Sequence, residues 1–109
     1  MAQTHKRLAT IRPAAAANET AYTAPASVTS IISSIFVCNT NAADTVFRLF
    51  LVPSGGAAGV GNALYYDLPL RANDTFLING VPDLETGDFL VVYALNGDVA
   101  FTISGLEIE

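Results

Sequence analysis

Residues that could catalyse a reaction are few in this sequence and lie far apart along it. His5 is the only histidine and Cys38 the only cysteine, and Ser54 lies in a Pro-Ser-Gly-Gly segment remote from both. A serine or cysteine nucleophile needs a base beside it to become reactive. Because the sequence offers no base except this N-terminal histidine, we predict that the protein is not an enzyme and has no catalytic residues.

The ten acidic residues form no recognisable set of metal ligands. Most aspartates stand at predicted turns, where the carboxylate accepts hydrogen bonds from its own backbone. A calcium loop needs oxygen ligands at alternating positions around a glycine, and the segment 39–44 matches that pattern only loosely. The glycine-rich loop at 55–61 lacks the Lys-Ser/Thr pair of a phosphate-binding loop. We therefore predict neither a metal ion nor a cofactor.

Tyr65 and Tyr66 are the candidate ligand-binding or contact aromatics. Adjacent residues of a strand face opposite sides of a sheet, so at most one of the two points into the core. The other could stack on a sugar ring, pack at a subunit contact or fill an edge of the sheet. The absence of tryptophan weakens the sugar interpretation, and the alternatives stay open.

The elements that would position these residues are β-strands. From residue 27 onward, runs rich in β-branched and aromatic residues alternate with clusters of turn-forming residues. Asn96-Gly97 lies between two such runs and is typical of a tight hairpin in which both turn residues have positive φ. The predicted strands span 28–38, 45–52, 63–70, 75–79, 89–95 and 99–104, with shorter candidates at 5–12 and 20–23.

This pattern predicts a single all-β domain, since 109 residues leave no room for two. Seven or eight short strands separated by turns are typical of an antiparallel β-sandwich or a jelly-roll-like fold. The first residues differ in composition from the rest. We therefore predict an extended N-terminal arm over residues 1–19 and a β-sandwich domain over residues 20–109.

Charge is scarce and unevenly placed. Only 14% of the residues are charged, against about 25% in typical soluble domains, which indicates a surface that faces other protein. Three cations give residues 1–18 a charge of +3, whereas two arginines and ten acids give residues 19–109 a charge of −8. We expect that body to repel nucleic acid and anionic membrane. The basic segment is the predicted docking arm, through Lys6, Arg7, Leu8, Ile11 and Arg12.

Two predicted strands, 45–52 and 89–95, are apolar on both faces. A sandwich that stands alone alternates apolar and polar residues instead. Either the arm or a loop covers the second face, or another subunit does. Under the last interpretation the oligomer contacts are Val46, Phe50, Val52, Leu90 and Val92.

The order of turns and strands resembles that of small phage and prophage virion β-sandwich proteins. The resemblance covers roughly residues 20–108 and rests on the residues that form the turns and the ends of the strands. The segments that carry it are Tyr22-Thr-Ala-Pro25, Val37-Cys-Asn39, Val52-Pro-Ser-Gly-Gly56, Asn62-Ala-Leu-Tyr-Tyr-Asp67, Ala72-Asn-Asp-Thr75, Thr86-Gly-Asp88 and Ile103-Ser-Gly-Leu-Glu107. Such proteins are capsid decoration (cement) proteins or parts of the neck and tail, and the resemblance implies oligomers, often trimers.

These observations together predict a structural protein of a phage virion, assembled in the host cytoplasm. The favoured role is a decoration protein that stabilises the shell by binding across capsid subunits. The alternative is a neck, tail or fibre accessory domain that binds other virion proteins or host glycans. The expected partners are further copies of the chain, for which the resemblance implies oligomers that are often trimers, and the major capsid protein or other virion proteins.

Overall fold

The computed structural model describes residues 3–109 as eight β-strands and one short 3-10 turn, with no α-helix in that range. The predicted all-β class and the antiparallel β-sandwich are confirmed, because the strands form two four-stranded antiparallel sheets. The strands are β1 (Gln3–Ile11), β2 (Glu19–Thr23), β3 (Thr29–Asn39), β4 (Thr45–Val52), β5 (Ala63–Leu70), β6 (Thr75–Ile78), β7 (Phe89–Ala94) and β8 (Val99–Ile108).

Each strand pairs with its counterpart counted from the other end of the chain. β1 pairs with β8, β2 with β7, β3 with β6 and β4 with β5, all antiparallel. Two more pairings, β3 with β8 and β4 with β7, join these pairs. The first sheet therefore has the order β1-β8-β3-β6 and the second the order β2-β7-β4-β5. Among the described strands, only β4 and β5 are consecutive neighbours.

The core lies between the two sheets and is built from alternate residues of the central strands. Phe47 of β4 and Phe101 of β8 are fully buried and meet edge to face with ring centroids 6.0 Å apart. Aliphatic residues surround them, which is the apolar filling expected of two packed sheet faces. The largest fully buried aliphatic side chains are Ile35, Leu49, Ile78, Leu84, Leu90 and Ile103.

The predicted hairpin at Asn96-Gly97 is wrong. β7 and β8 belong to different sheets, and residues 95–98 carry the chain from one sheet to the other. Neither turn residue has positive φ. The backbone N–H of Leu95 donates to Val46 O, and Asp98 O accepts from Thr40. The hydrogen-bond partners of this connection are thus a residue of β4 and the loop after β3.

Residues 3–11 form an edge strand of the first sheet. β1 pairs with β8 from Gln3 opposite Ile108 to Ile11 opposite Phe101, with one irregularity near Leu8. Residues 12–18 then carry the chain across to β2 in the second sheet. The division at residue 19 into an arm and a domain stays a prediction. In the structure, residues 3–11 lie on their own chain.

Candidate interaction surfaces

Four of the five predicted docking residues in the N-terminal segment make contacts within their own chain. Lys6 Nζ lies 2.9 Å from Glu107 Oε1, and Arg12 Nη1 lies 3.8 Å from Asp98 Oδ1. Leu8 and Ile11 are half-buried against the core. Arg7 is exposed and pairs with no acid among residues 3–109. Of the predicted docking residues, Arg7 is therefore the one whose charge is available to a partner.

A polar network joins β1 to its neighbours at the end of the sandwich near Glu107. The Tyr22 hydroxyl donates to Glu107 Oε2 at 2.6 Å and lies 2.7 Å from the Oγ of the fully buried Ser30. The hydrogen bond from Tyr22, and then that from Lys6, lowers the pKa of Glu107. Burial, and then the bond to Glu107, raises the pKa of Tyr22 to about 12. Side chains from β1, β2, β3 and β8 thus meet around one carboxylate.

Two of the predicted oligomer contacts, Leu90 and Val92, cannot reach another molecule. Both are fully buried between the two sheets, because their side of β7 is the core-facing side. Their register partners across β4 are the core-facing residues Leu51 and Leu49. Assigning these two residues to an oligomer contact was therefore wrong.

Phe50 and Val52 do lie on the outer face of the second sheet, but the chain's own loop covers them. With Val91 they form a second buried cluster, against which Ala58 and Ala63 pack. The loop over residues 53–62 folds back because Asn62 bonds to it twice, accepting from Gly59 N and donating to Ala57 O, each at 3.0 Å. Of the predicted contacts, Val46 alone is only half-buried on this face.

The two adjacent tyrosines point in opposite directions. Tyr65 faces the core, with its ring centroid 6.0 Å from that of Phe47 and 5.9 Å from that of Phe76. Tyr66 faces outward and is 49% exposed. Tyr65 therefore fills the edge of the core, and of this pair only Tyr66 is placed to meet a ligand.

A β-bulge brings Tyr66 and Asp67 to the same position in the sheet. Tyr65 pairs with Leu49 and Leu68 pairs with Phe47, so two residues of β5 stand opposite the single residue Arg48. Asp67 has φ of 53°, in the left-handed region that is uncommon for residues other than glycine. An extra residue of this kind bends a strand and re-aims its side chains.

Arg48 is held at the centre of this bulge by three side chains. Its Nε donates to Asp67 Oδ1 at 2.7 Å and its Nη2 to Oδ2 at 3.3 Å. The guanidinium carbon lies 4.2 Å from the ring centroid of Tyr66 and 4.3 Å from that of Tyr93. The hydrogen bonds to Asp67 raise the pKa of Arg48. We call Arg48, Tyr66, Asp67 and Tyr93 the Tyr66 cluster.

The outer face of the first sheet is a second exposed surface, and none of the side chains that residues 3–109 place on it is acidic. Phe36 and Leu77 are register partners on β3 and β6, and they are 47% and 43% exposed. Following the register across residues 3–109, we find Arg7 and His5 on this face and no aspartate or glutamate. We call it the acid-free face. Its apolar residues are Ile31, Phe36, Cys38, Leu77, Ala100, Leu106 and Ile108.

Sequence reasoning missed most of both surfaces. Strict alternation assigned the outward apolar residues to β4 and β7, and it did not detect Phe36 or Leu77. Arg48 and Asp67 could have been found by one signal, because each is the only charged residue in its strand and the two strands are consecutive. Tyr93 offers no such signal, since its place beside Arg48 depends on the pairing of β4 with β7.

Within residues 3–109 there is no group of three or more His, Cys, Asp or Glu residues placed to hold a metal ion. In the same range no helix has the length and apolar character needed to span a membrane. Comparison with protein-family models, curated proteins and solved structures finds no match for this chain.

Proposed function

We propose that the chain is a structural protein of a phage virion, and specifically a capsid decoration protein bound across capsid subunits. The strand pairing supports this proposal. We include a jelly-roll arrangement in the proposal, because this architecture is found among viral capsid domains. It is supported by eight antiparallel strands in which the first pairs with the last, the second with the seventh, and so on inward. A jelly roll also occurs in lectins, so the fold supports the proposal without carrying it.

The acid-free face is the observation that carries the proposal. The chain has a net charge of −5, yet one sheet face presents mainly apolar and small polar side chains, together with His5 and Arg7, and no acid among the described residues. Such a face can approach another protein without charge repulsion, and burying it contributes roughly 25 cal/mol per Å² of apolar area before association costs. We assign capsid docking to this face.

The N-terminal strand extends the docking surface at one edge. Arg7 and His5 lie on the outward side of β1, and the other edge of β1 has no partner strand in the described chain. An open strand edge offers backbone N–H and C=O groups to another chain. We therefore keep the N-terminal segment in the proposed docking surface, through Arg7 and the open edge. Lys6 and Arg12 are not part of this docking surface, because their ion pairs with Glu107 and Asp98 hold the segment on its own domain.

We still propose that the chain forms homo-oligomers, but through other residues than those predicted from the sequence. Of the residues predicted for this purpose on β4 and β7, all except the half-buried Val46 are covered by the chain itself. Contacts between copies would therefore use what is exposed, namely the acid-free face or the open edge of β1. The major capsid protein and further copies of the chain are the proposed partners, on the virion.

The docking proposal is tested with particles made from a phage genome that lacks the gene for this chain. Purified protein is added, and bound protein is measured after sedimentation of the particles. We expect Phe36→Asp with Leu77→Asp to reduce binding at least about tenfold, because a tenfold change requires only about 1.4 kcal/mol and each charge would be buried. Leu95→Asp is the matched control, since Leu95 is 50% exposed and lies off this face.

Equal binding by the double variant and the control would reject the acid-free face as the docking surface. Failure of the wild-type protein to bind such particles at all would reject the decoration role. Circular dichroism of each variant must match the wild type, because a variant that has lost its fold would lose binding for another reason.

A neck, tail or fibre accessory domain is the second candidate, and the Tyr66 cluster is the observation that favours it. An exposed aromatic ring beside a fixed charge pair suits contact with other virion proteins or with host glycans. Cryo-electron microscopy of the particle distinguishes the two roles. Copies distributed over the shell support decoration, whereas copies confined to the neck or tail support the accessory role.

A further inference from the structure

We propose that the Tyr66 cluster is a binding site for a neutral pyranose sugar. The cluster lies on the outer face of the second sheet, on the side of the sandwich opposite the acid-free face. A molecule docked through the acid-free face would therefore turn the cluster toward solvent. Only that orientation, and the avidity argued below, rest on the proposed virion role.

The backbone at the cluster forms a β-bulge, which places the side chains of Tyr66 and Asp67 beside the same residue of β4. In a regular strand Tyr66 and Asp67 would face opposite sides of the sheet. The bulge sets both opposite Arg48, and Asp67 adopts a left-handed conformation to do so. Backbone outliers of this kind concentrate at functional sites, where the surrounding structure maintains them. The bulge therefore points to a site that uses both side chains.

The chemical groups of the cluster match those of a pyranose. A sugar ring has a face of C–H groups that packs on an aromatic ring, and hydroxyls that both donate and accept hydrogen bonds. Tyr66 supplies a half-exposed ring. A guanidinium has five N–H groups, of which Asp67 accepts from two nitrogens, Nε and Nη2. The remaining N–H groups and the carboxylate lone pairs provide a donor and an acceptor side by side.

The side chains of the cluster are already held in place, so binding a ligand costs little conformational entropy. Arg48 lies between two tyrosine rings and forms two hydrogen bonds to one carboxylate. Its side chain therefore loses little further rotamer freedom when a ligand arrives. The charges of Arg48 and Asp67 cancel, so the cluster selects neither anionic nor cationic sugars.

The surface around the cluster is shallow, since the described part of the chain encloses no pocket. One shallow contact of this size should bind with a dissociation constant of about 1 mM. Many copies arrayed on one particle would convert such weak contacts into firm attachment, because the second and later contacts are intramolecular. Weak single-site binding is therefore consistent with the proposed role.

The test is a titration of the isotopically labelled, soluble protein, followed by two-dimensional NMR. The probes are the methyl glycosides of glucose, galactose, mannose and N-acetylglucosamine, each raised to tens of millimolar. We expect at least one glycoside to shift the amides of Arg48, Tyr66, Asp67 and Tyr93. Tyr66→Ala should weaken binding by about tenfold, while Tyr66→Phe, which keeps the ring, should stay within about twofold. Leu95→Ala, at a side chain of similar exposure, is the control and should bind as the wild type does.

The proposal is overturned if none of the four glycosides shifts these amides, or if Tyr66→Ala and Leu95→Ala bind alike. Asp67→Asn adds a separate check, because asparagine tolerates the left-handed conformation while losing the carboxylate charge. It should reduce sugar binding and leave the fold unchanged. None of these measurements uses a particle, so their failure is distinct from failure of capsid docking.

Discussion

Asn39 is a buried polar residue at the end of β3, and its side chain bonds to two loops. It is fully buried, and its Nδ2 donates to Ala43 O at 2.9 Å and to Arg71 O at 3.1 Å. Its Oδ1 accepts from Asn41 N at 3.0 Å. One amide thus joins the end of β3 to the following loop and to the turn after β5.

Replacing this amide should destabilise the protein. Asn39→Ala leaves backbone groups without partners where water has poor access, and we expect the free energy of unfolding to fall by about 2 kcal/mol. Asn79→Ala, at an exposed asparagine, should change it by less than about 0.5 kcal/mol. Urea denaturation of the two variants measures the difference. Equal stability of the two would show that the bonds of Asn39 are replaced by water.

The sequence predicted that one of the two tyrosines faces outward, but it did not predict which residues lie beside Tyr66. Alternation in a strand correctly implied that one of the two tyrosines would face outward. It also implied that Asp67 would face the other side, and the bulge reverses that. A β-bulge sets two residues of one strand opposite a single residue of its partner. Because it is defined by the pairing, it cannot be recognised in the sequence of one strand alone.

At the scale of elements, the positions of most strands could be predicted because β-branched and aromatic runs are separated by clear turn clusters. Their pairing could not be predicted, and the Asn-Gly hairpin shows why. A local turn preference of this kind is outweighed when both flanking strands bury more surface beside distant partners. Another bulge, between Ile32 and Ser34, shifts the alternation along β3. Strict alternation would place Ile32 and Phe36 on one face, whereas Ile32 is buried and Phe36 is exposed.

The attachment of β1 should depend on pH. Glu107 has a lowered pKa in the folded protein, so its contribution to stability is present above its ordinary value of 4.5 and is lost as the pH falls through the lowered value. We expect the stability difference between wild type and Glu107→Gln to shrink as the pH is lowered from about 6 to below 4.5. Urea denaturation across that range measures it.

Hydrogen exchange locates the same effect, since protection of the β1 amides should fall first as Glu107 is protonated. Glu85→Gln is the control, because Glu85 is exposed and lies outside this network. A stability difference that stays constant over the range, or that appears equally in the control, would contradict the assignment. At high pH the raised pKa of Tyr22 acts in the opposite sense, and stability should fall as the pH rises from 10 toward 12.

For the whole molecule, the pairing of β1 with β8 has a consequence that separates two views of the N-terminal segment. Gln3 and Ile108 are register partners, so the two ends of the described chain lie side by side. If residues 3–11 belong to their own domain, joining the ends should create a β8–β1 hairpin. If they belong on a neighbouring molecule, the same link would strain the fold.

A circular permutant tests this directly. Glu109 is joined to Met1 through two glycines, and new ends are opened between Pro82 and Asp83, which are exposed between β6 and β7. Exposed loop tips tolerate such openings. We expect the permutant to fold, with an unfolding free energy within about 2 kcal/mol of the parent, measured by urea denaturation and compared by circular dichroism. The control is a complex of two unlinked fragments with the same opening, which differs from the permutant only by the absence of the link at the old ends. If this complex folds while the permutant unfolds or forms linked oligomers, residues 3–11 would lie on a neighbouring copy.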